Sequence, residues 1–70
     1  MTTGIIDSYD PEEESGFILV DNTDDRVPFD SAAVDDFQAG DMLFEGQRVE
    51  VRVEGGPAGV WATRVRRIAS

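Results

Sequence analysis

The chain is predicted to be all-β, a small closed barrel of five short antiparallel strands. Short β-branched and aromatic runs alternate with breaks rich in turn formers, including 7 glycines and 3 prolines in 70 residues. In the clearest run, Val49, Val51 and Val53 alternate with Arg48, Glu50, Arg52 and Glu54, the period of a strand with one buried face. Five such strands in so short a chain would leave open edges in a flat sheet, so closure is expected.

The first strand is Thr3 to Tyr9, stopped by Asp10-Pro11, because proline cannot extend a ladder and restricts the residue before it. Glu12 to Glu14 form a charged turn. Gly16 to Val20 form the second strand, with Phe17 and Leu19 on one face and Ile18 and Val20 on the other. Asp21 to Asp25, DNTDD, is a loop dense in turn formers. Arg26 to Phe29 form a short third strand, and Pro28 assigns it to an edge. Ser31 or Asp30 is placed to cap a helical turn through Ala32, Ala33 and Val34. Phe37, Met42, Leu43 and Phe44 are apolar anchors of an otherwise irregular loop, with Phe37 and Phe44 read as its plugs. The fourth strand follows Glu45-Gly46-Gln47, Gly55-Gly56-Pro57 turns the chain, and the fifth runs from Val60 to Ile68.

Seventy residues make one domain, 1–70, with the fold spanning 3–68. A chain this short buries a small core and is marginal alone. It has no cysteine and no histidine, which removes disulfides, thiolate metal sites and the commonest metal ligand and acid–base group. No apolar run reaches the roughly 20 residues of a membrane span, and no signal-peptide pattern is present. A cytoplasmic, monomeric protein without membrane association is expected.

The net charge is −9, and all 6 bases are arginine. The segment 1–45 holds 13 acids and only Arg26, whereas 46–70 holds 2 acids and 5 arginines. This asymmetry suggests an acidic face and a basic edge. A lysine-free acidic surface fits adaptation to high salt or a GC-rich genome, or else service to a basic protein partner. Asp21, Asp24 and Asp25 lack the spacing and terminal glutamate of a calcium loop. No phosphate loop, nucleophile elbow or zinc spacing is present. Catalytic residues, metal sites and cofactors are therefore not expected.

In order along the chain, five segments resemble the bacterial cold-shock domain. TGII at Thr3 to Ile6 is similar to its opening TGxV. SGFI at Ser15 to Ile18 is similar to the end of its first ribonucleoprotein motif, KGFGFI. DRVPFDSAA at Asp25 to Ala33 resembles the second, DVFVHFSAI. EGQRVEV at Glu45 to Val51 is similar to EGQxVxF, and GPAG at Gly56 to Gly59 with ATRV at Ala62 to Val65 is similar to GPxAxNV with a short insertion. The resemblance implies an OB-type barrel that binds single-stranded RNA or DNA and acts as an RNA chaperone.

Binding in that family rests on surface aromatics flanked by lysines. Here the matching positions keep Tyr9 and Phe17, Phe29 stands where the family usually has histidine and Asp30 where it has an outer phenylalanine; Tyr9, Phe17 and Phe29 are the candidate stacking rings. Base stacking is worth roughly 1–3 kcal/mol per base. The lysines are gone, and Asp7, Glu13, Glu14 and Asp30 are expected to surround the platform with the sign that repels phosphate. Molar salt shortens the Debye length to about 3 Å, which screens that repulsion and leaves stacking intact. Trp61 lies in the insertion and is read as a stacking ring, a lid on the barrel end or a partner contact. Arg64 and Arg66, with Arg67, form the basic cluster, which either meets phosphate or pairs with the chain's own carboxylates. Two functions are therefore weighed: weak, salt-dependent single-strand binding, and a protein-interaction barrel that has lost nucleic-acid binding.

Overall fold

The computed structural model describes residues 2–38 and 40–68. Residues 1, 69 and 70, which the single-domain reading includes, lie outside the described set, as does residue 39 of the long loop. The expected strands are present: β1 (Thr2–Asp10), β2 (Ser15–Val20), β3 (Arg26–Asp30), β4 (Arg48–Gly56) and β5 (Gly59–Arg67). They form one antiparallel sheet in the order β3-β2-β1-β4-β5. No helix of the described residues is long and apolar enough to cross a membrane.

β3 and β5 are the ends of the sheet, and it coils until they touch. No ladder joins them among the described residues. Pro28, in the middle of β3, has no N–H to contribute to one. β3 and β5 therefore approach each other without a shared ladder, and the expected closure into a barrel by hydrogen bonds is not formed among the described residues. Further along, β5 is tied to the long loop by the Asp35 N–H donating to Val65 O at 2.8 Å.

The core follows the period of two. Ile6, Ile18, Val49, Val51 and Val65 are wholly buried, and Val20, Val27, Phe29, Val34, Leu43 and Ala62 complete the cluster. In β4, Val49 and Val51 point inward while Arg48 and Arg52 stand in solvent, as the alternation requires. Each wholly buried aliphatic side chain contributes about 1.5–3 kcal/mol from burial.

Turn chemistry also follows the sequence. Glu14 ends the β1–β2 turn at φ 53°, and Asn22 and Asp24 hold positive φ in the loop to β3, a conformation that asparagine and aspartate tolerate. The expected helical turn is the single 3-10 turn Ser31–Ala33, with Asp30 at the capping position but no side-chain capping bond. The loop plugs divide. Leu43 is buried and Phe37 packs against the core, but Phe44 is 64% exposed, so it is not the expected plug. It lies in a turn fastened by its neighbours: the Gln47 N–H donates to Phe44 O, and Ile6 exchanges backbone bonds with Gly46 and Gln47.

Among the described residues, two β-bulges interrupt the ladders. In β1 the pairing steps from Ile6↔Ile18 to Ser8↔Phe17, leaving Asp7 as the extra residue. In β5 it steps from Arg52↔Arg64 to Val53↔Ala62, leaving Thr63 extra. An extra residue reverses which face every later side chain meets.

An ion pair fastens β1 to the start of β4. Asp21 accepts from the Thr3 hydroxyl at 2.7 Å and pairs with Arg48 at 2.9 Å. The Thr3 hydrogen bond first, then Arg48, holds the Asp21 carboxyl below its ordinary value. A lowered folded-state pKa stabilises above the unfolded value, about 3.9, and that contribution fades as pH falls through the folded value. Asp21→Asn is therefore expected to lower the urea midpoint at pH 7, with the gap from wild type shrinking below about pH 4. A gap independent of pH would contradict this.

Candidate nucleic-acid interface

The bulge at Asp7 decides the fate of Tyr9. Simple alternation from Ile6 would turn Tyr9 outward; with one residue extra, Tyr9 turns inward and lies opposite Gly16, which lies opposite Phe29. Gly16 has no side chain, so the two rings meet across it, with centroids 6.2 Å apart and planes 18° from parallel. Phe29 is only 5% exposed and belongs to the core. Its expected role as a surface ring is corrected: in the register of β3, Val27 and Phe29 face in while Arg26, Pro28 and Asp30 face out. Tyr9 is half-buried, and its hydroxyl oxygen is buried with no hydrogen-bond partner among the described residues. Burial, followed by the carboxylates of Glu14, Asp10 and Asp41, pushes that hydroxyl above its ordinary pKa.

Of the three candidate platform rings, Phe17 is the one that faces out, at 38% exposure. It sits in a row with Ser8 and Pro28 across β1, β2 and β3. The Arg26 guanidinium lies 4.6 Å from the Phe17 ring centroid, within cation–π range. The same guanidinium donates to Asp7 at 2.8 Å. Arg26 is thus the cation of this face, and it neutralises one of the four expected repelling acids. Its place in the sequence, alone among acids, did not mark it as a site residue.

Beside Phe17 is a shallow depression of about 360 Å3 lined by Ser8, Tyr9, Gly16 and Phe17 and by the acidic residues Asp10, Glu13 and Glu45. Of the acids expected around the platform, Glu13 lines it. Asp7 is paired with Arg26, and Asp30 lines a different cleft. Glu45 arrives from the long loop, a neighbour only the tertiary structure supplies.

The bulge at Thr63 acts on Trp61 in the opposite sense. Counting inward from Val65, alternation would bury Trp61; the extra residue buries Ala62 instead and leaves Trp61 41% exposed. A Cβ at Gly56 would lie 3.2 Å from Trp61 Cη2, so the indole rests on the bare backbone of the β4–β5 hairpin. Trp61 also lines a cleft of about 340 Å3 at the β3–β5 seam with Ser15, Pro28, Phe29, Asp30 and Ala62. The two bulges therefore exchange rings: Tyr9 leaves the outer face and Trp61 joins it.

The basic cluster is engaged internally. Arg64 forms a two-pronged pair with Asp35 at 3.0 Å, which raises its pKa further. Arg66 pairs with Glu50 at 3.1 Å, and Arg67 with Asp41 at 3.6 Å and the Asp36 carbonyl at 3.1 Å. Arg52 is the one arginine with no ion pair among the described residues. No group of three or more carboxylates converges as a cation cage among the described residues.

No known family model matches the chain, and no curated protein matches it significantly.

Proposed function

We propose that this is a cold-shock-like module that binds single-stranded RNA or DNA weakly by aromatic stacking, as an RNA chaperone would. The observation that carries this reading is Phe17, an outward ring on the middle of the β1–β2–β3 surface, with the Arg26 guanidinium against it. A base stacking there frees Arg26 to meet a neighbouring phosphate. The cold-shock-like segments and the all-β sheet with its ends in contact support the reading as well.

The acids around Phe17 set the salt dependence. A phosphate-driven complex weakens as salt rises. A stacking complex opposed by Asp10, Glu13 and Glu45 holds or gains affinity as their repulsion is screened. Titration of a fluorescein-labelled seven-residue oligothymidylate, followed by anisotropy, is expected to show binding at 1 M NaCl at least as tight as at 0.1 M. Phe17→Ala is expected to weaken it by about 1–3 kcal/mol, roughly 5- to 150-fold. No binding at either salt overturns the proposal.

The acidic depression favours a second reading, a barrel whose partner is a basic protein. Under that reading a basic protein is captured by the wild type and lost when Glu12, Glu13 and Glu14 are replaced by lysine. Capture unchanged by the reversal removes it.

A further inference from the structure

We infer that the cleft at the β3–β5 seam is a guanine subsite, with Trp61 and Pro28 as its stacking surfaces and the Asp30 carboxylate reading the base edge. The inference rests on the single-strand-binding reading and names the base it selects.

The cleft holds about 340 Å3 and is lined by Ser15, Pro28, Phe29, Asp30, Trp61 and Ala62. It is a shallow depression open to solvent, more open than the one beside Phe17, so it presents a face and an edge to a base and does not enclose it. It adjoins the Phe17 surface. Phe17 and Pro28 are directly paired across β2 and β3, and Ser15 lines both depressions. Paired strands are about 4.8 Å apart, which brings Phe17 next to Pro28, and Pro28 lines the same depression as the indole, so successive bases of one strand can lie on Phe17 and in the depression.

Asp30 gives the cleft its chemistry. It stands at the capping position of the 3-10 turn yet makes no capping bond. It also takes no part in an ion pair among the described residues. An ionised carboxylate is an acceptor only, with two oxygens side by side. Guanine presents two adjacent donors, N1–H and N2–H, on its Watson–Crick edge and matches it in a bidentate way. Adenine and cytosine place a ring-nitrogen acceptor beside their amino group, and thymine and uracil flank one N–H with two carbonyls. Each of these sets an acceptor against a carboxylate oxygen. Ser15, paired with Asp30 across the ladder, adds a hydroxyl that can donate to guanine O6. Single-stranded bases are read in this manner, stacked on one group and hydrogen-bonded along an edge. Asp30 thus opposes phosphate but selects a base.

The test compares labelled oligothymidylate with the same oligomer carrying one central guanine, adenine or cytosine, by anisotropy at 1 M NaCl. Wild type is expected to prefer the guanine oligomer about 5- to 150-fold, the range of a bidentate edge contact. Asp30→Ala is expected to abolish that preference, so that the guanine, adenine and cytosine oligomers bind alike, and Trp61→Ala to weaken the guanine oligomer selectively. Guanosine monophosphate is titrated in parallel. Competition by it as strong as by the guanine oligomer identifies a free nucleotide as the ligand of the same subsite, and weaker competition identifies the strand. An arginine-rich peptide is the second competitor, since a guanidinium also fits an aromatic ring beside a carboxylate. Binding of oligothymidylate without a guanine preference overturns the subsite and leaves single-strand binding intact. So does a preference retained in Asp30→Ala, or a cleft taken by the peptide alone. Binding of no oligomer overturns single-strand binding and the subsite with it.

Discussion

Replacing Gly16 by alanine is expected to destabilise the domain by a large fraction of its total stability. A Cβ built at Gly16 would collide with the Ser8 carbonyl oxygen and lie 2.9 Å from both Ser8 C and Tyr9 Cα. All three atoms are backbone of β1, so no rotamer change relieves the clash. β1 and β2 would have to part beside the Asp7 bulge, where the ladder is already interrupted. Ordinary overpacking costs about 1–3 kcal/mol. Opening a ladder at the centre of the sheet is expected to exceed that, at about 4 kcal/mol or more. A domain of this length has roughly 3.5–10 kcal/mol in all. Urea unfolding followed by far-UV circular dichroism and Trp61 fluorescence measures the change. A midpoint within about 0.5 M of wild type would show that the strands yield more easily than this packing implies.

Phe29→Ala is expected to cost about 3–5 kcal/mol, the range for a buried phenylalanine. The side chain is 5% exposed, and its removal also takes away the ring stacked against Tyr9. Phe17→Ala should differ in kind. Phe17 is 38% exposed and packs against the Arg26 cation, so its loss costs about 1 kcal/mol of stability or less. Unfolding curves of the two variants side by side separate core from surface. If Phe29→Ala unfolds no more easily than Phe17→Ala, the inward register of β3 is wrong.

The contrast between these two phenylalanines shows what could be read along the chain. Phe17 stands after Gly16 in a run whose alternation is unbroken, so its outward direction was legible. Phe29 differs because the correct parity depends on which β2 residue it pairs with, and that partner is Gly16. Tyr9 and Trp61 were not legible at all. Each follows a single extra residue, Asp7 or Thr63, that leaves no mark in the hydrophobic pattern. Arg64 and Arg66 look like a basic cluster in sequence, and their carboxylate partners Asp35 and Glu50 are distant in the chain.

Local information determined the five strands, their turns, the inward valines of β4 and the edge position of β3, because these depend on period-two patterning, proline geometry and residues tolerant of positive φ. The tertiary structure alone decided which rings reach solvent and which acids meet them. Side-chain direction after a bulge is a property of pairing between strands, and a neighbour such as Glu45 beside Phe17 exists only once the loop has folded against the sheet.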